Sequence, residues 1–483
     1  MAEKKKEHFG SSLGFVFTMI GMAFGLGAIW RFPYVTAQSG GGAFVLMFLI
    51  ITLVLAVPAG MAEIALARKM QSGPVVAFKN ILGNKKGRIA WLYPIIPTGL
   101  NMFYMVVVAW TLAYICFSIV YGNEIMNDPV GFFDTFSNDR LAVFGWTVVT
   151  VLLNALILWK GIQGGVEKFC KYGIPLLFVI LALLMVRVLT LPNISAGLNL
   201  FVNPDWSQML NFSMWARATG MALFAIGLGP AALMAYGAYL PKDSDIPADF
   251  LTVAFWNLLG CILAGLIIVP AVVAFGLDLN SGPNLTFITL PFVFAQLPFS
   301  IVIALGFFIA MALGAVSSSI GIMENSVTTV SGGLGWSRKK TIVFITVITI
   351  IGAIPCIWSE KFLAAMDFFV GDVGYTLTAT IMAVLLAWYV GAKKVREEWI
   401  QKGCHFKIPT FYDPLYKYVI CPILKCGGCS ELFAAHAGFR CQSDLRGGWH
   451  RQFKGCRKAD DFRAVCGGRN RAREYPHPDN GRT

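Results

Sequence analysis

Charge is what this chain has least of. Of its 483 residues only 13% are Asp, Glu, Lys or Arg, about half the share of a soluble protein. A water-facing surface wrapped around a single core is therefore excluded. Histidine is also scarce, with 5 in the whole chain. The 11 cysteines include no complete set of paired ligands at zinc-binding spacing. No glycine-rich nucleotide-binding loop and no nucleophile–base constellation is present, so the sequence implies no covalent chemistry and no enzyme. The net charge of +13 needs no nucleic acid to explain it.

What the chain has instead is long apolar runs. It is 57% hydrophobic, with a mean hydropathy of +0.66. Ten runs fall at about 12–37, 42–68, 89–121, 141–159, 168–190, 216–240, 250–276, 299–330, 341–358 and 363–391, and an eleventh begins near 411. Roughly 20 apolar residues cross about 30 Å of hydrocarbon, so the chain reads as an all-α membrane protein in contact with lipid. The first run is too long for a cleaved signal peptide, and its arginine lies beyond the apolar stretch. Positive charge gathers in alternate loops: Lys4 to Lys6; Lys79, Lys85, Lys86 and Arg88; Lys160, Lys168 and Lys171; Arg338 to Lys340; and Lys393, Lys394 and Arg396. The loop after the third span carries Glu124, Asp128, Asp134 and Asp139. The positive-inside rule then predicts a cytoplasmic N-terminus, residues 1–10, and an inner-membrane location.

Two runs are interrupted. The first contains Gly21, Gly25 and Gly27 and ends in Arg31 and Pro33. Each glycine costs a helix about 1 kcal/mol against alanine, and an intramembrane arginine marks a functional site by default. The sixth contains Gly227, Gly229 and Pro230, and proline removes a helical donor and clashes with the preceding turn. Broken backbone at membrane depth is tolerated only inside protein or along a cavity. Matching breaks five spans apart point to an inverted-repeat transporter with its substrate at the repeat interface. The predicted fold is two inverted five-helix repeats, about 11–190 and 216–391, with helices 1 and 6 broken. A cytoplasmic loop and partial eleventh span follow, 392–425.

The tail, 426–483, breaks the pattern. Arginine overtakes lysine there, and five cysteines fall within it. Cys426 and Cys429 with His436, Cys441, His450 and Cys456 suggest a zinc module, but the second pair lacks the spacing. The segment reads as a solvated, disordered extension, and its abrupt change of residue usage suggests a frameshifted or artificial end. Cys116, Cys170, Cys261 and Cys356 lie in or beside spans, where small apolar packing accounts for them.

Over about residues 7–424 the chain resembles bacterial members of the neurotransmitter:sodium symporter family. The resemblance rests on Gly25-Leu-Gly27, Arg31-Phe-Pro33, Gly40 to Phe44, Lys160-Gly161 with Gly165 to Phe169, Ala238 to Asp243, Phe287 to Pro291, Ser317 to Gly321 and Met366-Asp-Phe368. It implies sodium-coupled symport of a small amino acid by alternating access. Unwound backbone at Ala23, Gly25, Leu26 and Gly27 would meet the substrate carboxylate, helped by the hydroxyl of Tyr104. Phe224 would be the lid. Leu100, Gly227, Pro230, Ser318 and Ile322 would form the side-chain pocket, roomier for Gly227 and for a missing aromatic at Pro230, as suits a larger apolar or aromatic substrate. Glycine at 25, where amine carriers of the family have aspartate, fits a substrate that brings its own carboxylate. Arg31 and Asp367 would be the outer gate pair, and Glu63 would brace the break in the sixth span.

The same resemblance implies a second sodium site from the carbonyls of Gly21, Phe24 and Gly314 and the hydroxyls of Ser317 and Ser318, as a hard cation requires. The first sodium site reads as dismantled: Ala28, Ala225 and Trp256 stand where side-chain oxygens are expected, with Asn257 one residue away. Nearby Met22, Phe48 and Met221 are apolar, and Gly260 replaces an acidic or chloride-linked group. At the cytoplasmic latch Lys6 stands for an arginine and Gly332 for its acidic partner, which leaves that latch either weak or rebuilt from other residues. The expected coupling is one sodium. Two alternatives stay open: a transport-inactive binding protein, and a proton-coupled carrier using Glu63 or Glu324. The sequence does not set the oligomeric state.

Overall fold

The computed structural model describes residues 7–229, 232–277, 285–402, 404 and 407–424. Pro230, Lys6 and the whole 426–483 tail, with its zinc-like pattern, lie outside the described residues.

Helices account for nearly all of the described chain. The first span is split into Ser12–Ala23 and Gly27–Gln38, bent by 53°. Six spans follow the predicted runs, Gly42–Met70, Arg140–Trp159, Ile162–Leu189, Ile246–Ala274, Ser300–Leu334 and Arg338–Trp358, while the third, Pro74–Val120, begins 15 residues early, at 74 rather than 89, and is kinked at Gly83. The tenth, Glu360–Ile400, overruns its predicted end. The sixth appears as Phe212–Ile226 and Ala232–Gly237, each too short to cross alone. A further helix starts at Tyr412, where the eleventh run was expected.

Local chemistry sets the ends. Ser11, Asp139, Asp245 and Ser337 accept backbone N–H bonds at the heads of their helices, satisfying donors that a helix start leaves orphaned. The break in the sixth span begins as a left-handed glycine cap. Gly227 has φ +76°, its N–H donates to Phe224 O at 3.0 Å, and Leu228 N–H donates to Leu223 O at 3.0 Å. That 6→1 and 5→2 pair is how helices commonly stop at glycine.

The third and eighth spans pack against each other, and the eighth also contacts the fifth and both broken spans. The fourth and fifth spans are peripheral: only 33% of their most apolar windows is buried. Leu152, Leu156, Val179 and Leu183 therefore face outward, as lipid contact requires. The seventh span is 67% buried and backs the first, placing both breaks at the centre of the bundle.

Candidate functional site

The first helix stops after Ala23 because Phe24 leaves helical geometry, at φ −86° and ψ 71°. The chain then makes a tight turn: Gly25 N–H bonds Ala23 O at 3.1 Å, and Ala28 N–H bonds Gly25 O at 3.1 Å. Leu26 N–H points away from the helix and donates to the Tyr104 hydroxyl at 3.2 Å. That hydroxyl lies 2.7 Å from Ser318 Oγ. An amide, a phenol and a serine hydroxyl thus converge at a buried break, a donor set suited to a carboxylate.

Glycine is needed at this approach. A Cβ at Gly25 would sit 2.6 Å from Ser318 Oγ and 2.9 Å from the Tyr104 hydroxyl, and one at Gly27 would sit 2.1 Å from the Phe224 ring. Leu100 lies one turn from Tyr104, and Ile322 one turn from Ser318, so each shares a helix face with its partner. The structure therefore brings Gly25, Leu26, Gly27, Tyr104, Phe224 and Ser318 into one cluster.

Beside it lies a second group, made only of oxygens. Ser317 Oγ donates to Gly21 O at 2.8 Å and to Gly314 O at 3.0 Å. Phe24 O lies 3.0 Å from where a Cβ on Gly314 would stand. Ser318 Oγ bonds Ala315 O at 3.0 Å. Broken backbone and a serine pair thus offer neutral oxygen ligands, the chemistry a hard monovalent cation takes, and these residues fit sodium.

The expected outer gate lies on the far side of Phe224. The Arg31 guanidinium stands 5.1 Å from the Phe224 ring centroid, a cation–π distance. Arg31 also borders a cavity of about 20 Å3 with Leu228, Gly371, Tyr375 and Thr376. Asp367 Oδ1 approaches that cavity too, at 3.0 Å from a notional Gly371 Cβ. Glu63 is buried, with Gly229 and Met234 facing it across the sixth-span break. Its oxygens approach the backbone of Gly229 and Met234 without closing a hydrogen bond of good geometry.

One expectation needs correction. Trp256 is not the inward residue of the seventh span: it is 39% exposed and packs its ring edge-on to Phe178. Asn257 is fully buried and donates to Ala225 O at 3.0 Å, while its Oδ1 has no hydrogen-bond partner. The buried stripe Val253, Ala254, Asn257, Leu258 and Cys261 carried the signal, since helical period alone puts Asn257 with Ala254 and Cys261. The first-site region therefore keeps the Asn257 side-chain oxygen. Gly260 serves packing, because a Cβ there would lie 2.4 Å from the Phe24 ring.

At the end of the bundle predicted to face the cytoplasm, Gly332 packs on Val76, and a buried acid is found at Glu324. Glu324, with its side chain fully buried, takes two bonds from Arg338 at 2.6 and 2.7 Å and one each from Tyr239 and Thr328 at 2.7 Å. Glu7 approaches Arg338 at 3.9 Å and accepts from Ile162 N–H at 3.0 Å. Arg338 looked like loop charge in the sequence. A carboxylate inside an apolar helix was the available clue, because a buried charge needs a partner.

A polytopic membrane protein with two broken spans and a buried cluster of backbone and serine oxygens beside one break is the class this geometry defines. The sodium:neurotransmitter symporter family profile matches residues 6–123 and 132–433, and the chain belongs to that family. It is 32% identical over 438 residues to an uncharacterized sodium-dependent transporter of Bacillus subtilis, covering 86% of this chain and 95% of the other. One from Haemophilus influenzae is 29% identical over 442 residues, with the same two coverages. Among solved structures, that of MhsT in complex with L-phenylalanine superposes with a TM-score of 0.80 at 28% identity, covering 88% of this chain and all of that one. The family consists of sodium-dependent transporters, not enzymes, and sodium is its coupled ion.

Proposed function

We propose that the protein carries an apolar or aromatic amino acid across the bacterial inner membrane, N-terminus in the cytoplasm, driven by one sodium ion. The observation that carries this reading is the adjacency of the Leu26–Tyr104–Ser318 donors to the Ser317, Gly21, Gly314 and Phe24 oxygens. The substrate carboxylate takes the Leu26 amide and the Tyr104 hydroxyl. Gly25 leaves space and no competing charge. Phe224 closes over the substrate, Arg31 stacks on Phe224, and Asp367 completes the outer closure. Sodium is held next door by the carbonyls and the two serines, so each ligand stiffens the same broken backbone and favours the other, a reciprocal coupling. The L-phenylalanine bound to MhsT supports an apolar or aromatic substrate.

The one-sodium reading rests on Ala28 and Ala225 at the first site, where Asn257 Oδ1 is a single remaining side-chain oxygen. Glu324 is tied to Arg338 by two bonds, which argues against its serving as a proton carrier. The test is equilibrium binding of a labelled amino-acid panel in sodium and in potassium. Sodium-dependent binding of an apolar amino acid with a Hill slope near one is expected. Ser317→Ala with Ser318→Ala is expected to abolish the sodium dependence. Dependence that survives both changes would sink the ion-site assignment.

A further inference from the structure

We infer that Asn154, on the peripheral fourth span, is a positioning residue for the ion and substrate sites: it holds the eighth span at the rotation that aims Ser317 and Ser318 inward. This rests on the transport reading above. The inward stripe of the fourth span is Val143, Thr147, Thr150, Val151, Asn154 and Leu158. Thr147 and Thr150 bond back into their own helix, to Val143 O and Trp146 O, both at 2.8 Å. Asn154 instead reaches other helices. Its side chain is fully buried, and Oδ1 accepts from Ser319 Oγ of the eighth span at 2.8 Å. Nδ2 donates to Thr150 O at 2.9 Å and lies 3.8 Å from Met105 Sδ of the third span. A carboxamide is costly to bury unless it is bonded, and between membrane helices such groups act as polar ties.

What the tie holds follows from sequence position. Successive residues on a helix point about 100° apart, so Ser317, Ser318 and Ser319 face three ways. Ser317 meets Gly21 O beside the first break, Ser318 meets the Tyr104 hydroxyl, and Ser319 meets Asn154. The serine run is therefore pinned from behind, on the side away from Ser317. The single hydroxyl proton of Ser319 has two acceptors, Asn154 Oδ1 at 2.8 Å and Val316 O at 3.0 Å. Without Asn154 it turns wholly to its own helix, and the eighth span loses this anchor to the fourth. Met105 likewise follows Tyr104 on the third span. Asn154 thus touches the residue after each of the two side chains whose hydroxyls meet at 2.7 Å. One residue outside both sites governs how the third and eighth spans present them.

The test is a double-mutant cycle on the purified full chain: Asn154→Leu, Ser319→Ala and the two together, with Thr147→Ala as a packing control. The readouts are the sodium concentration that half-saturates binding of labelled L-leucine and L-phenylalanine, and thermal unfolding. Hydrogen bonds between membrane helices are worth roughly a threefold to twentyfold change in an equilibrium. Each single variant is expected to raise the half-saturating sodium concentration by about threefold or more. The pair is expected to be no worse than the worse single, since both changes remove one tie. Thr147→Ala is expected to leave that concentration unchanged, whatever it does to stability. Lower stability with parent-like half-saturation in both single variants would overturn the inference, because packing alone moves the first and not the second. So would effects that multiply in the pair. If Asn154→Leu does not fold, Ser319→Ala decides by itself. A parent that binds neither amino acid in sodium, or binds with no sodium dependence, would overturn the transport reading, and this inference with it.

Discussion

A single methyl group has no place at residue 25. It would fall within 2.9 Å of both hydroxyls that hold the break together, closer than such contacts allow. Gly25→Ala is expected to weaken amino-acid binding at least tenfold while leaving the protein folded, read by the same binding assay with thermal unfolding as control. Tyr104→Phe tests the donor set more gently. It removes one hydroxyl and leaves Leu26 N–H without its partner, while Ser318 Oγ keeps its bond to Ala315 O. A lost bond to a charged group costs about 1.5–3 kcal/mol, so affinity should drop roughly tenfold to a hundredfold by the same arithmetic. Unchanged affinity would remove Tyr104 from the carboxylate site. At this scale the sequence was legible where the chemistry needs a particular atom. Gly25, Ser317 and Tyr104 were singled out through the resemblance to the family, since type alone would leave a tyrosine or a serine run as helix packing. Asn257 was missed by one residue, because a one-residue error turns a helix by 100° and trades an inward side chain for a lipid-facing one.

At the scale of elements, the breaks in the first and sixth spans position the candidate site, and the Glu324 clasp ties three elements together elsewhere in the bundle. The clasp joins the eighth span through Glu324 and Thr328, the segment after the sixth through Tyr239, and the start of the ninth through Arg338. Removing one partner of a buried ion pair costs about 3–5 kcal/mol. Glu324→Ala is therefore expected to lower the unfolding temperature in detergent. It should also raise the reactivity of cysteines introduced near Tyr239, as the cytoplasmic side loosens. A variant with parent-like melting and reactivity would show that the clasp holds nothing closed. Partnership between spans is invisible to hydropathy, which ranks Arg338 beside Lys339 and Lys340 although only Arg338 reaches a buried acid.

For the whole molecule, alternating loop charge predicts which ends lie on which side. Cysteine introduced at Glu124 should react with a membrane-impermeant reagent in intact cells, and one introduced at Lys339 only after permeabilisation. The reverse pattern would invert the topology and place Arg31 and Asp367 on the cytoplasmic face. The peripheral position of the fourth and fifth spans and the central position of the broken pair could not be read from hydropathy, which marks each as an apolar run without naming its neighbours. Their different burial comes from which neighbours they meet.

The sequence by itself determined the class, the spans and the two breaks. Those features depend on local composition, because a bilayer demands apolar length and satisfied backbone whatever the neighbours are. Only the tertiary structure decided that Leu26 N–H meets Tyr104 and Ser318, that Asn257 and not Trp256 faces inward, that Glu324 is held by Arg338, and that Asn154 reaches Ser319. Each joins residues far apart in the chain, and their meeting depends on how whole helices rotate and pack, which no local pattern encodes.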